Sequence, residues 1–588
     1  FKQKTAYEIM PSLVGSEMCI RDSFDRILQG RPNKSAPGPN GLPYIVYKKL
    51  RCCAGLLYQI IRRVTQEEKV PTCYGLAVIS LIPKDPTNAK DVTFFRPITC
   101  LNVESKILWA IVSQSLTSFL IANGYLKDRT QKGFLPNVAG CIEHSATLTE
   151  ALRDARKKLR TIVVNWIDLA NAFGSVRHNL ILFALDWYHV PKWCHTMIQQ
   201  YYSSLFAQVV TKKWKTSFFP FHIGVFQGCT VSPILFDTVY QICLDFTEQY
   251  GTDPYVFSSD FNLKAKYGLV ELLQLAYADD HTTINRSIAG AQSSLDLIQE
   301  WLGWTKCMRA KPIKCKCLAL AFDAKSQSYG QLDPNLKIGQ HKVNDIAQKP
   351  FKFLGRFLEG NLKDKSQKEI LFTAFQKYMK TVDDEHLNGA SKAWIYNNFV
   401  ISFITWPFII NDFPQSVAVR ITAIANRFLK SWLKLKRPAS TEVLYLPEAG
   451  MKLKNPKTFL KTMQISKHHI LSNSRDPKVR FLSESRLHNA LKSKSKRWKP
   501  ETAMLEIEST LTWESKFMRG KNVLNSKKPP PIFSATPKKL QRKLITERAR
   551  KIDAEKNEDT SVRFNTKRRF YHVGQYHFIR HKLVWHDI

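Results

Sequence analysis

Two adjacent aspartates set between two β-prone runs constrain this chain more than any other feature. Leu272-Leu273-Gln274-Leu275-Ala276 leads into Tyr277-Ala278-Asp279-Asp280, and Thr282-Thr283-Ile284 follows. The pattern predicts strand, tight turn, strand, with both carboxylates at the tip of a hairpin. Bare acids side by side repel each other. A turn against a hydrophobic strand tolerates them when they are solvated or when they hold cations. Hard oxygen ligands of this kind suit Mg²⁺, which takes one or two carboxylates and fills its shell with substrate phosphates. Taken alone, a solvated acidic turn is the better explanation of these four residues. The segments upstream decide otherwise.

The bulk composition narrows the partner. The chain has 588 residues, enough for several domains, and 44% of them are hydrophobic. Against 49 Asp+Glu stand 88 Lys+Arg, a formal net charge of +39. So large a positive excess calls for a polyanion, most simply nucleic acid. A membrane is not expected: the best apolar run, Phe399 to Ile410, is short and broken by Pro407. There is no secretory signal of the usual form. The 12 cysteines are scattered and form no CxxC pair, which fits a reduced, intracellular location in nucleus or cytoplasm. Cys317 is the last of them, so the back half has no cysteine for a zinc knuckle.

Residues 1–23 read as a foreign leader, without an initiating Met, and are set aside. A Pro/Gly cluster, Ser35 to Gly41, precedes a helical stretch around 44–64. Ala77-Val78-Ile79-Ser80-Leu81-Ile82 reads as a buried strand that ends at Pro83-Lys84. A polar loop then leads to Phe94-Phe95-Arg96-Pro97-Ile98. Lys84 and Arg96 are cations on facing strand ends, a clamp for a triphosphate or two solvated surface charges. Residues 143–160 form a helix, and Thr161 to Ile167 a strong β run that ends in Asp168. That carboxylate is placed to face a ligand, or to cap the helix that follows. Farther on, Gly228 permits close backbone approach, and Ser232-Pro233 reads as a helix start with Ser232 as N-cap. Ile234, Leu235, Val239, Ile242, Cys243 and Phe246 give that helix an apolar stripe.

Asp168 with Phe173 five residues on, then Gln227-Gly228 with Ser232-Pro233, then Tyr277-Ala278-Asp279-Asp280, resembles the motif series of reverse transcriptases. The surroundings resemble the non-LTR, LINE-type retrotransposon branch. Supporting matches are Ala36-Pro37-Gly38, Arg96-Pro97-Ile98 with Lys106, and Gln131-Lys132-Gly133-Phe134. Phe351-Lys352-Phe353-Leu354-Gly355 looks like the primer grip, and Trp432-Leu433 and Leu446 to Gly450 like the thumb pattern. The likeness runs from about residue 34 to about 455, and several motifs in the right order make it specific.

The resemblance implies an α+β right-hand polymerase: fingers, a palm with an antiparallel sheet, and a helical thumb, followed by a basic C-terminal region. The expected divisions are an N-terminal extension and fingers at 24–160, palm at 161–360, thumb at 361–475, and a partly disordered basic region at 476–588. It implies transfer of dNTPs onto a primer 3′-hydroxyl along an RNA template. Two Mg²⁺ ions about 4 Å apart, or Mn²⁺, would be held by Asp168, Asp279 and Asp280, with the carbonyl of Leu169. Lys314 resembles the lysine that protonates the leaving pyrophosphate, and Lys84 and Arg96 the cations on the triphosphate. Phe173 resembles the steric gate against a 2′-hydroxyl. Gln227 and Gly228 resemble the floor beneath the nucleotide, and Phe353, Leu354 and Gly355 the primer grip. The chain departs from the pattern at Gly174, where an acid is usual, and at Lys311, where Asn is common; neither touches the carboxylates.

A helix over 415–435 carries Ile421, Ile424, Phe428 and Trp432 on one face, with Arg420, Arg427, Lys430 and Lys434 as cations for a duplex backbone or as the solvated face of an ordinary docked helix. Residues 521–588 hold 17 Lys+Arg against 6 Asp+Glu, with Arg568-Arg569-Phe570-Tyr571-His572 near the end. That reads as an RNA-binding tail or a disordered basic one. No endonuclease pattern is visible. The rival readings are a viral RNA-dependent RNA polymerase, disfavoured by Phe173 and Ala278, and an inactive or truncated element protein that only binds nucleic acid.

Overall fold

The computed structural model describes residues 17–85, 91, 94–259, 261–346, 350–359, 364–445, 451–494, 498–507 and 541–550. The basic tail around Arg568, the break at Pro529–Pro531 and the Leu446–Gly450 motif lie outside them. The chain divides into two compact units. One joins residues 1–140, 158–256 and 271–345; the other joins 141–157, 257–270 and 346–588. These bounds cut across the expected divisions at 160, 360 and 475.

In the first unit, α1 (Glu17–Gly30) runs through the expected boundary at residue 23. Ile20 and Phe24 are both buried from it, and the Arg21 guanidinium lies 4.7 Å from the Tyr58 ring. The helical stretch expected at 44–64 is two helices, α2 (Tyr44–Lys49) and α3 (Arg51–Glu67), because Leu50 turns extended between them. β1 (Leu76–Pro83) pairs antiparallel with β2 (Phe95–Leu101) and parallel with β4 (Phe206–Val209), which carries β5 (Phe219–Pro220) on its far side. β2 leads straight into α4 (Val103–Ala122).

The second sheet of this unit positions the site. β3 (Ile162–Ile167) is buried along its whole length. Each such Ile or Val side chain, once fully buried, contributes about 1.5–3 kcal/mol, which makes a central strand of it. Its neighbours are β7 (Asp280–Asn285) on one side and β8 (Lys316–Asp323) on the other, with β6 (Gln274–Tyr277) and β9 (Ser328–Leu332) at the flanks. Two helices pack on it, α8 (Ser232–Tyr250) and α9 (Ile288–Thr305). The expected stripe of α8 is present, but the helix is buried nearly all round, Asp237, Tyr240 and Gln241 included. Ser232 does not cap it: Val231 holds the N-cap position without a side-chain bond, and Ser232 is already helical.

In the second unit, β11 (Phe351–Phe353) and β12 (Arg356–Leu358) form a hairpin that was expected with the palm. It packs instead with the helices that follow: Phe357 N donates to Gln367, and Arg356 pairs with Asp364 at 3.0 Å. Those helices are α10 (Lys365–Asp384), α11 (Gly389–Ile395), α12 (Ile401–Ile410), α13 (Gln415–Trp432), α14 (Pro456–Ser472) and α15 (Pro477–Lys492). Ile421, Phe428 and Trp432 of α13 are buried as expected, with Ile424 partly so. Lys430, expected to face a duplex, instead donates to the carbonyls of Arg437 and Ala439.

Two stretches are longer and more apolar than expected. Val103–Ala122 and Gly389–Ile410 both have the length and composition to cross a membrane. Leu108, Trp109, Leu116 and Phe119 of the first, and Ile401, Ile404 and Phe408 of the second, are all 0% exposed, while Trp394 and Phe399 of the second stay exposed. None of the described cysteines is bridged.

Candidate active site

Strand register gathers the acids. β3 and β7 are antiparallel, with Ile167 opposite His281. One residue beyond Ile167 is Asp168 and one before His281 is Asp280, so both leave the sheet at the same end. Tyr277 pairs with Asp280, which leaves Ala278 and Asp279 as a two-residue turn with Ala278 at φ 55°. The expected hairpin is therefore present, and its tip meets the end of β3. The acids sense one another. Burial first, then the charge of Asp168, raises the Asp279 carboxyl. Protein packed around Asp280, then the charges of Asp279 and Asp168, push it up to about 6, although its side chain reaches solvent. Desolvation leads and like-charge repulsion adds to it, the combination expected of unneutralised carboxylates packed at one site. Among the described residues no three acidic, histidine or cysteine groups enclose a metal by themselves. A hard cation shared with substrate phosphates needs no such cage.

Lys314 Nζ stands 3.9 Å from Asp168 Oδ2, and both side chains are substantially exposed. The loop before β8 is tied to the same strand end: Lys311 N donates to Asp168 O at 2.7 Å, and Ala170 N to Arg309 O at 2.8 Å. Leu169 is buried opposite Ala310. Lys311 thus serves this contact through its backbone, which any residue there could make.

Phe173 lies over Phe236 of α8, centroids 4.8 Å apart and planes within 9°, with Phe134 edge-on at 6.2 Å. A stacked ring with a second ring against it has little freedom to swing aside. Gly174 follows because the neighbourhood is full: a Cβ there would meet the Asn171 amide at 2.3 Å, and Gly224 packs onto its backbone.

Gln227 and Gly228 are stitched to β2. Thr99 N donates to Gln227 O at 2.7 Å, and Gly228 sits at φ 134°, where a Cβ would meet Thr99 O at 2.3 Å. Only glycine suits that conformation and that approach. Arg96 lies on the same strand, opposite Ile82, and Lys84 N bonds Phe94 O, so the two exposed cations sit at one end of the β1–β2 ladder. Phe353, Leu354 and Gly355 belong to the second unit, where Leu354 and Gly355 form the hairpin turn with φ of 44° and 84°.

Several residues around the acids escaped the sequence reading. His281 is fully buried behind Asp280. Tyr240 OH lies 3.0 Å from its Nδ1, and Gln274 Oε1 lies 3.1 Å from its Nε2. Gln274 Nε2 in turn donates to Leu244 O, so Gln274 Oε1 accepts from His281 and Nδ1 accepts from the tyrosine. Burial drives the imidazole down to about 3. A buried histidine with a lowered value costs stability once the unfolded chain can protonate. The contribution is complete above the ordinary 6.5 and shrinks as pH falls toward 3. Thermal unfolding followed from pH 7 to pH 5 is expected to show a loss of about 2 kcal/mol from this group at pH 5. His281→Gln should flatten that slope; an unchanged slope would contradict the burial account. Asp237 of α8 is also fully buried, and neither carboxyl oxygen has a hydrogen-bond partner among the described residues. Burial, then the charge of Asp279, raises it well above the carboxylate range. Only an acid inside an apolar helical stripe could have flagged it.

Acids at the end of a central antiparallel strand and its neighbouring hairpin, a packed aromatic ring, and a glycine loop tied to a second sheet define a polymerase palm. Residues 82–357 match the family model of reverse transcriptase (RNA-dependent DNA polymerase). The chain is 25% identical over 322 residues to the retrovirus-related Pol polyprotein from type-1 retrotransposable element R2 of Nasonia vitripennis, covering 55% of this chain and 28% of that protein. It is 28% identical over 268 residues to the Pol polyprotein from type-2 retrotransposable element R2DM of Drosophila melanogaster, covering 46% and 23%. A third R2 polyprotein, from Bradysia coprophila, is 21% identical over 366 residues, covering 62% and 39%. Residues 82–357 thus match a reverse transcriptase domain, and the chain is similar to the Pol polyproteins of R2 retrotransposable elements. It spans well under half the length of these relatives. Reverse transcriptases are α+β polymerases that work with divalent metal ions.

Proposed function

We propose that this chain extends a DNA primer along an RNA template, using dNTPs, as the polymerase of a retroelement. The observation that carries the reading is the β3–β7 register, which ends Asp168 beside Asp280. The donors fit hard cations: three carboxylates, of which Asp279 and Asp280 are raised by burial first and then by the charges of their neighbours. Asp168, Asp279 and Asp280, with the Leu169 carbonyl, would hold two Mg²⁺ ions, which when bound lower the pKa of the 3′-hydroxyl and neutralise the leaving oxygen.

The chain's own residues do the rest. The primer 3′-hydroxyl releases its proton to solvent as its oxygen bonds to the α-phosphorus, the bond from that phosphorus to the oxygen bridging to the β-phosphate breaks, and pyrophosphate leaves. Lys314 Nζ gives a proton to that leaving group. Lys84 and Arg96 hold the triphosphate through charge-assisted bonds. Gln227 and Gly228 form the floor under the base pair, and Phe353, Leu354 and Gly355 grip the primer. The Phe173 ring, backed by Phe236, meets the sugar where a 2′-hydroxyl would stand. Excess Lys and Arg supports RNA and DNA binding by phosphate contacts. Free cysteines and the polyanionic partner support work inside the cell, in nucleus or cytoplasm, away from any membrane.

Phe173→Val tests the gate. Incorporation of rNTP relative to dNTP is expected to rise about 10–200-fold, the scale of a small steric discrimination in a pocket. Single-nucleotide extension on a primed RNA template measures it. An unchanged ratio would remove Phe173 from the sugar.

A further inference from the structure

We propose that Gln131 is a positioning residue for nucleotidyl transfer: its side-chain amide holds the backbone of Ala278 and thereby fixes where the carboxylates of Asp279 and Asp280 stand. The inference rests on the polymerase reading above.

A two-residue hairpin turn leaves inner backbone groups outside the strand ladder. Ala278 is buried, so its N–H and C=O need partners from the protein. Gln131 supplies both. Its Oε1 accepts from Ala278 N at 2.8 Å, and its Nε2 donates to Ala278 O at 3.1 Å. The same Oε1 accepts from Gly133 N at 2.9 Å. Two N–H groups on the oxygen and a carbonyl before the nitrogen leave the amide one orientation. Gln131 is itself 0% exposed and forms an isolated parallel bridge with Ala276. Ala276 N donates to Thr130 O and Lys132 N to Ala276 O, both at 2.9 Å. Gly133 completes the fit, since a Cβ on it would meet Ala278 N at 2.4 Å. The turn is therefore clamped from outside its own hairpin, one residue ahead of the two carboxylates. The left-handed φ at Ala278 aims Asp279, and Gln131 is what keeps that conformation partnered.

A group bonded only to core polar atoms would affect folding alone. A positioning role predicts more. In Gln131→Ala, kcat for dNTP incorporation should fall about 100-fold, the scale of a 1 Å misplacement, with KM for dNTP little changed. Mn²⁺ binding, read by electron paramagnetic resonance on the protein without nucleic acid, should weaken about 10–100-fold. Hydrogen exchange should quicken in the peptide spanning residues 276–282 and stay unchanged in β3. Gln131→Glu keeps the size but sets an oxygen before the Ala278 carbonyl, and should behave like the alanine variant. If both variants bind Mn²⁺ as the wild type does, or lose activity only in proportion to unfolded protein, the proposal is overturned. A wild-type chain that binds Mn²⁺ yet incorporates no dNTP would sink the polymerase reading, while the Mn²⁺ and exchange measurements would still judge Gln131.

Discussion

Asp279→Asn is expected to reduce dNTP incorporation by at least about 10³-fold, since one charge of a metal-holding set is worth several kcal/mol of transition-state stabilisation. The fold should not suffer. Asp279 in the wild type is raised by its burial and by Asp168, so its charge is held at a cost to the folded state. Removing that charge relieves repulsion, and the variant should melt no lower than the wild type. RNA affinity should be unchanged, because phosphate contacts come from Lys and Arg. Steady-state incorporation, thermal melting and RNA binding on the same preparation check the three parts together. A variant that loses activity and melting temperature together would show the acid to be structural.

The second large effect belongs to the other compact unit. Asp412 is the anion on which three cations converge: Arg153 at 2.6 Å, Lys467 at 2.9 Å and Arg486 at 3.5 Å. Burial alone would raise its carboxyl; Arg486, Lys467 and Arg153 hold it well below the usual range. Glu150 and Glu501 complete the balance through Arg153 and Arg486. Asp412→Ala leaves the buried Lys467 and the partly buried Arg486 short of a partner, a loss of about 3–5 kcal/mol. Chemical denaturation should show this unit unfolding earlier, with the first unit's transition in place. Asp412→Asn should recover part of the loss by keeping hydrogen-bond acceptors. A melting curve indistinguishable from wild type would mean the network is not structural.

Local pattern made some of this legible and distance hid the rest. β3 declares itself because a fully buried strand is a continuous β-branched run, and the acidic turn because two β-prone runs bracket it. Asp168 and Phe173 follow from the end of that strand. The break at Leu50 had no Gly or Pro to announce it. Ser232 looked like a cap because serine followed by proline usually is one, yet here the helix begins one residue earlier. Gln131 could be quoted as part of a motif, but its target lies 147 residues away and its role is a matter of side-chain reach. Arg153 and Asp412 are 259 apart, and Arg486 and Glu150 336 apart. Nothing in the periodicity of either segment marks such a partner. The His281–Tyr240 link was hidden for the same reason, since each residue alone is ordinary core.

The most direct test of the central claim is primer extension by the 588-residue chain on a primed RNA template, with dNTPs and Mg²⁺ titrated from zero. The account predicts template-directed DNA synthesis that requires the metal, disfavours rNTPs and disappears in Asp279→Ala. Tight, salt-sensitive RNA binding with no extension in any metal would contradict it and leave a protein that only binds nucleic acid.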